Sequence, residues 1–294
     1  MNRDPNRNDL GEFLKARRSE VRPAEVGLPT GGHARRVAGL RREEVALLAA
    51  ISIDYYTRLE QGRIQASPSV LASLSQALRL DQDQDAYLHE LASRQRPRLQ
   101  HRPVHYQAQP QLQRVLEDMA LTPAFVIGPR TEVVAWNVMG AALITDFAKI
   151  PQEQRYYIRL LFTDPAMKDL YADWEDVTRL AIAQMRMYNS THPDDATLAA
   201  LIDELSTGYP QFRQWWADHH VAARGTGTKQ LHHPVVGDLT LDWNAVIWGA
   251  QPDLQIIAWT AEANSPSGDG LRLLAAWTAE NAARTTGTTR TTAG

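Results

Sequence analysis

The sequence predicts an all-α domain followed by an α+β domain, and three observations support this prediction. The chain has 294 residues, more than one ordinary domain needs. Its charge changes sign near Pro103: up to that residue there are 17 basic residues (arginine and lysine) against 13 acidic ones, and beyond it 14 against 21. Apolar residues follow helical spacing in the first part, whereas short β-branched and aromatic runs appear in the second. We therefore expect two separate cores.

The expected domain borders follow from local composition. The segment Ser93–Pro103 has two prolines and no apolar period, so residues 94–110 are predicted to be a linker. Residues 281–294 are dominated by Thr, Gly, Ala and Arg and cannot form a core face, which predicts a disordered tail. The predicted domains are therefore residues 1–93 and 111–280.

Composition also limits the class of protein. A hydrophobic fraction of 44% and a charged fraction of 22% are typical of a globular chain. The absence of cysteine excludes disulfides, iron-sulfur clusters and thiolate zinc sites. The first ten residues are polar, and no apolar run approaches the roughly 20 residues needed to cross a bilayer. We therefore expect a cytoplasmic protein with no membrane partner.

The first domain is predicted to consist of short helices. Phe13 and Leu14 lie on the apolar face of an amphipathic helix over Leu10–Val21. Prolines and glycines after Pro23 then predict a long loop. Further helices are expected from Arg41, from the N-cap Ser52 to Gly62, over Ser69–Leu80 and over Gln84–Ser93.

The most specific pattern in the chain occupies Arg42–Gln61. It begins with the small residue Ala46 and ends with Glu60-Gln-Gly-Arg63. Its apolar positions are Val45, Ile51, Tyr56 and Leu59. This pattern resembles the helix-turn-helix of the lambda-repressor-like, or XRE, family, in which the second helix of the pair lies in the major groove of DNA. The resemblance implies that five residues form the outward, base-reading face of that helix: Ser52, Ile53, Asp54, Thr57 and Arg58.

The chemistry of this face agrees with base recognition. Arg58 can donate to guanine O6 and N7, Thr57 offers a hydroxyl and a methyl group, and Asp54 can accept from cytosine N4. Flanking arginines are candidates for phosphate contacts: Arg35, Arg36, Arg41, Arg42 and Arg63.

One turn residue departs from the family pattern. Ala50 stands where the family usually has glycine, and a positive φ at Ala50 would add about 1 kcal/mol of strain. The alternative interpretation of the whole domain is a helical bundle that binds no DNA, with its arginines forming a solvated face.

The second domain mixes helices and strands. A helix is expected over Gln111–Met119, and a β-hairpin from Ala124–Ile127 and Thr131–Trp136. From Asn137, which can cap a helix, to about Ala222 the pattern is helical. Four short strands and a closing helix then follow: Thr228–His232, Leu239–Asp242, Ala245–Trp248, Leu254–Thr260 and Leu271–Thr278.

This α+β order resembles a PAS-like sensor module. Six phrases, taken in order, also resemble the MmyB-type ligand-binding domain: Ala135-Trp-Asn137, Leu161-Phe162, Trp215-Trp-Ala-Asp-His219, Gly227-Thr-Lys229, His233-Pro-Val-Val-Gly-Asp-Leu239 and Thr260-Ala-Glu262. Proteins of that family join such a domain to an XRE helix-turn-helix, so the resemblance covers nearly the whole chain. It implies a regulator of transcription that binds operator DNA and a small apolar effector such as a fatty acid. Because a single reading helix normally needs a second copy, we also expect a homodimer.

Aromatic and cationic residues are the candidate effector site. Four residues could line an apolar pocket, Trp136, Phe162, Trp215 and Trp259, and three could anchor a polar head group, Arg159, His219 and His233. The alternative is that the aromatic residues only fill the core. The pairs His219-His220 and His232-His233 do not predict a metal site, since adjacent histidines on a strand point to opposite faces. We expect neither a metal nor a cofactor.

Motifs for catalysis are lacking in the sequence. It contains no Gly-x-Ser-x-Gly elbow and no phosphate-binding Gly-x-x-x-x-Gly-Lys loop, and Gly225-Thr-Gly227 lacks the third glycine of a dinucleotide loop. We therefore predict a DNA-binding regulator and not an enzyme. The alternative is a regulator whose second domain is a protein-interaction or dimerisation module without a small-molecule ligand.

Overall fold

A computed structural model describes residues 9–29, 37–93, 106–223 and 225–290. A helical N-terminal part is followed by a part that combines helices with a five-stranded antiparallel sheet, which confirms the predicted fold class. No helix among these residues is both long and apolar enough to cross a membrane.

Five helices open the chain: α1 (Asp9–Glu20), α2 (Arg42–Leu48), α3 (Ile53–Glu60), α4 (Pro68–Ala77) and α5 (Gln82–Ser93). Their apolar faces meet in one core, in which Phe13, Tyr56 and Leu59 are fully buried. Phe13 and Tyr87 pack edge to face with ring centroids 5.1 Å apart. The predicted helices agree with these within a few residues, and the predicted long loop contains one short 3-10 helix, Pro23–Val26.

The turn between α2 and α3 depends on Ala50. Its φ of 54° lies in the left-handed region that favours glycine, so this chain accepts a strain of about 1 kcal/mol there. The turn is closed by the amide of Ile51, which donates to the carbonyl of Ala46 at 2.9 Å. Ser52 then begins α3, because its hydroxyl accepts from the amide of Tyr55 at 3.1 Å. The predicted N-cap is confirmed.

The described residues after α5 form eight α-helices: α6 (Pro110–Asp118), α7 (Val138–Leu143), α8 (Tyr157–Thr163), α9 (Pro165–Leu170), α10 (Trp174–Thr191), α11 (Ala196–Gly208), α12 (Pro210–Ala217) and α13 (Pro266–Arg290). The chain divides into two compact units, and the division falls inside α10. The first unit comprises Met1–Arg102 and Ile182–Ala223; the second comprises Pro103–Ala181 and Arg224–Gly294.

Residues 182–223 therefore group with the N-terminal helices, whereas the sequence places them in the domain 111–280. Val221 is buried in the core of the N-terminal helices. Arg17 of α1, which is 3% exposed, donates to the carbonyl of Asp218 at 3.0 Å. These contacts join segments about two hundred positions apart in the chain, so a local sequence pattern could not have revealed them.

The second unit is built on one antiparallel sheet of five strands, in the order β2-β1-β5-β4-β3. The strands are β1 (Ala124–Ile127), β2 (Val133–Trp136), β3 (Thr226–His233), β4 (Gly237–Trp248) and β5 (Gln251–Thr260). The predicted hairpin is confirmed, since β1 and β2 are antiparallel partners. The prediction of two strands at 239–242 and 245–248 is wrong. Trp243, which lies between them, pairs with Gly227 on β3 and with Trp259 on β5, so the ladder continues as one strand.

Asn137 fastens three elements of this unit together. It caps α7 as predicted, because its Oδ1 accepts from the amide of Gly140 at 2.7 Å. The same oxygen accepts from the amide of Ala124 on β1 at 3.0 Å. Its Nδ2 donates to three carbonyls at and beyond the end of α6, those of Leu116, Met119 and Thr122. The buried amide is thus fully hydrogen-bonded.

The C-terminal helix is longer than the sequence predicts. α13 extends beyond the predicted 271–278 at both ends and includes 281–290, most of the segment expected to be disordered. Alanines at 275, 276, 279, 282 and 283 favour this continuation, since alanine has the highest helix propensity. Residues 291–294 of the predicted tail and 94–105 of the predicted linker lie outside the described residues.

Candidate DNA-reading helix and effector cavity

α3 and its N-cap Ser52 carry the five residues predicted to read bases, and four of them are exposed: Ser52, Ile53, Asp54 and Arg58. Thr57 is half-buried. On the opposite face of the helix, Tyr56 and Leu59 are fully buried. Arg58 lies 3.6 Å from the Asp54 carboxylate; such an exposed pair is weak, so its guanidinium can turn to another acceptor.

A buried carboxylate fixes α3 against its neighbours. Glu60, whose side chain is 2% exposed, accepts from Nε of Arg18 on α1 and from Nε of Arg42 on α2, both at 2.6 Å. Burial alone would raise the pKa of Glu60, but the hydrogen bonds and charges of the two arginines outweigh it, and the pKa is lowered. The ionised carboxylate therefore joins all three helices.

The predicted phosphate contacts have different surroundings. Arg63 is exposed just beyond α3. Arg41 lies 3.3 Å from the exposed Glu43 carboxylate, in a surface pair. Arg42 is 47% exposed but already donates to Glu60, so its first role is within the fold. Arg35 and Arg36 lie outside the described residues.

The seven predicted effector residues do not form one cluster in either unit. Trp215 and His219 belong to the first unit and the other five to the second. Trp136 is half-buried against Phe147, with ring centroids 5.4 Å apart. Phe162 packs against Trp174 at 5.8 Å, an edge-to-face contact. These two aromatic pairs are packing contacts of the kind that fill a core.

The predicted head-group anchors are engaged by the fold itself. His233 is 5% exposed; its Nε2 donates to the carbonyl of Ala142 at 2.9 Å and its Nδ1 accepts from the amide of Val235 at 3.2 Å. Both ring nitrogens are thus used, and none is left for an effector. Arg159 donates to the carbonyl of Glu153 at 3.2 Å.

His219 has a neutral ring held beside an arginine. Its Nδ1 lies 3.2 Å from Nη1 of Arg186, and its φ of 53° is left-handed. Burial, together with the charges of Arg186 and Arg17, lowers the pKa of His219 to about 3. At neutral pH this histidine brings no positive charge to an acidic head group.

Lys229 on β3 is a functional candidate that the sequence reasoning did not single out. Its Nζ lies over three rings, 5.4 Å from the centroid of Tyr171, 5.2 Å from Trp243 and 5.6 Å from Trp259. Burial lowers the pKa of Lys229 to about 8. The phrase Gly227-Thr-Lys229 was the only signal for it in the sequence.

A cavity of about 250 Å³ opens beside this lysine. One wall is formed by β3 over 226–230 and by Trp243 of β4. The other is formed by α10 and the residue before it, through Asp173, Asp176, Val177 and Leu180. The cavity thus combines three apolar side chains, those of Val177, Leu180 and Trp243, with a cationic group and several polar ones.

Two protein-family models match the chain. A model described as a helix-turn-helix domain matches residues 9–88, and one described as an MmyB-like transcription regulator ligand binding domain matches residues 108–274. No curated protein matches the chain. The two matches show a DNA-binding transcriptional regulator. Since the second match spans more than half of the sequence, the chain belongs to the family of MmyB-like transcription regulators.

Proposed function

We propose that this regulator binds operator DNA sequence-specifically as a homodimer through α3, and that a small apolar effector, such as a fatty acid, alters that binding. The exposed face of α3 carries the first part of the proposal. It offers a carboxylate at Asp54 and a guanidinium at Arg58 to base edges, while Glu60 holds the helix in place behind them. The cavity beside Lys229 supports the second part, because Val177, Leu180 and Trp243 give it apolar surface in the domain matched as ligand-binding.

Arg58→Ala is expected to weaken binding to the preferred operator by about 1 to 3 kcal/mol and to relax the base preference, because a direct base contact is lost. Arg63→Ala is the matched control, an exposed arginine just beyond the same helix. Arg63→Ala should weaken binding to all operator sequences alike and reduce the salt dependence of binding. Affinities for a set of single-base operator variants at fixed salt would separate the two effects. An unchanged base profile for Arg58→Ala would contradict this assignment of the reading face.

The effector proposal predicts that the purified protein carries a small molecule. Native mass spectrometry should show an added mass that denaturation releases, and its removal should change operator affinity by roughly 5- to 150-fold, the usual range of coupling. Footprints should show two half-sites about 34 Å apart, as a two-fold symmetric dimer requires. A bound mass whose removal leaves operator affinity unchanged would argue against an effector role.

A second candidate function is an interaction or dimerisation module with no small-molecule ligand. Leu273 and Trp277, one helical turn apart on α13, favour it because they are 57% and 40% exposed and offer apolar surface to another chain. In that case no small mass would be recovered, and replacing both residues by serine would dissociate the complex.

A further inference from the structure

One large apolar side chain stands among the polar groups of α3. The exposed large apolar residues that the structure describes in the first unit are Val37, Leu47 and Ile53. Of these, Ile53 alone lies on α3, and it is 53% exposed. An isoleucine that stays in water adds little burial to the core, so its apolar surface is available to another molecule.

The helical register places Ile53 in line with the proposed base contacts. Residues four positions apart lie on the same side of a helix, with Cβ atoms about 5 to 6 Å apart. On one side, the guanidinium of Arg58 lies 3.6 Å from the carboxylate of Asp54. Beside this charged pair, Ile53 is followed by the half-buried Thr57, and both of these residues carry methyl groups. The reading face thus has a charged column, Asp54 with Arg58, and a methyl column, Ile53 with Thr57.

The methyl column is held rigidly. Both of its residues are β-branched, which restricts the first side-chain torsion in a helix and leaves little freedom to be lost on binding. The helix beneath them is also fixed: the Ser52 hydroxyl accepts from the amide of Tyr55 at 3.1 Å. The hydroxyl of Tyr55 donates to the carbonyl of Gln65, also at 3.1 Å. Such a surface is suited to one apolar contact of defined geometry.

We propose that Ile53 reads the C5-methyl group of a thymine in the major groove. The inference rests on the proposed function, since it names the base chemistry that α3 recognises. Among the four ordinary bases, thymine alone presents a methyl group in that groove. The other base edges present donors and acceptors, which an isoleucine would strip of water without replacing their hydrogen bonds. Cytosine methylated at C5 carries the same group and should satisfy Ile53 as well.

The test uses a duplex that the full-length chain selects from a randomised pool. Each thymine of one half-site is replaced in turn by uracil, which lacks only the methyl group. At one thymine at least, this change should weaken binding about fourfold, which corresponds to the roughly 0.8 kcal/mol gained by burying one such carbon group. With cytosine at the same position, methylation at C5 should restore about fourfold in affinity.

Replacement of Ile53 by alanine tests whether this side chain causes the effect. In Ile53→Ala, the thymine and uracil duplexes should bind within about twofold of each other at that position, whereas Ile53→Val should keep the preference for thymine. Leu47→Ala is the matched control, because it removes a leucine that is 72% exposed but lies on α2, and it should leave the preference unchanged. Both residues are exposed and alanine favours helix, so these variants should fold.

Any of the following outcomes would overturn the inference. No uracil replacement might be the first of them to appear as a change of more than about twofold in affinity. The others are a thymine preference that Ile53→Ala leaves unchanged at every position, and a preference that Leu47→Ala removes. Failure of the proposed function would look different, because the pool would then yield no preferred sequence. A preferred sequence without a methyl effect would leave operator binding standing and remove only the role of Ile53.

Discussion

Replacement of Glu60 by alanine is expected to lower the free energy of unfolding of the N-terminal helices by about 3 to 5 kcal/mol and to abolish operator binding. The carboxylate is 2% exposed and neutralises two arginines at once, Arg18 and Arg42. Its loss would leave Arg18, which is 13% exposed, with its hydrogen bond to the carbonyl of Leu40 but without the counter-charge that Glu60 supplies. The loss would also release α3, the proposed reading helix, from α1 and α2.

Urea unfolding followed by circular dichroism would measure this effect, and hydrogen exchange would localise it to α1, α2 and α3. Glu43→Ala is the matched control, because it removes a carboxylate that is 58% exposed from a surface pair with Arg41, and it should change stability by less than about 1 kcal/mol. Glu60→Gln, which keeps the shape and removes the charge, should show most of the loss. Equal stability of Glu60→Ala and Glu43→Ala would contradict the argument.

The same network shows which features of the reading helix were predictable. Ser52 as N-cap and Tyr56 and Leu59 as core residues follow from local spacing, and the structure has all three in those roles. The engagement of Arg42 by Glu60 joins residues 18 positions apart and depends on how two helices pack. The sequence alone therefore predicts a phosphate contact for a flanking arginine such as Arg42, even where that arginine already forms an ion pair within the fold.

The effector site was less predictable for the same reason. His233 and Arg159, which we predicted as head-group anchors, are residue types that can bind an acidic group. In the structure, however, both side chains are hydrogen-bonded to backbone carbonyls outside the sequence phrases that suggested them. The rings around Lys229 come from three separate stretches, before α10, on β4 and on β5. The register of β3, β4 and β5 brings Trp243 and Trp259 beside Lys229, and an isolated bridge between Tyr171 and Leu231 adds the third ring. Neither the register nor the bridge can be predicted from composition.

Glu60 is a buried charge that two arginines neutralise. Lys229 is a half-buried charge that lies over three aromatic rings and has no counter-ion among the described residues, so its replacement should have the opposite effect on stability. Burial lowers its pKa from 10.5 to about 8, and at about 1.4 kcal/mol per pH unit this means that the charged form costs the fold about 3 kcal/mol at neutral pH. Attraction between the ammonium and the three aromatic faces offsets part of this cost. Lys229→Met is therefore expected to stabilise the ligand-free protein by roughly 1 to 3 kcal/mol at pH 7, since it removes the charge and keeps the apolar contacts.

This gain should disappear as the pH rises. Below pH 8 Lys229 is protonated in both folded and unfolded chains, so the folded state bears the full penalty. Between about 8 and 10.5 only the unfolded chain keeps the proton, and the stability of the unchanged protein therefore rises towards that of Lys229→Met. The pKa of Tyr171 lies well above 10.0, and Asp173 and Asp176 are present in both proteins, so their contributions cancel in the comparison. Urea unfolding of both proteins at pH 7 and pH 10 would measure the difference, and a gap that does not narrow would mean that burial is not what disfavours the ammonium.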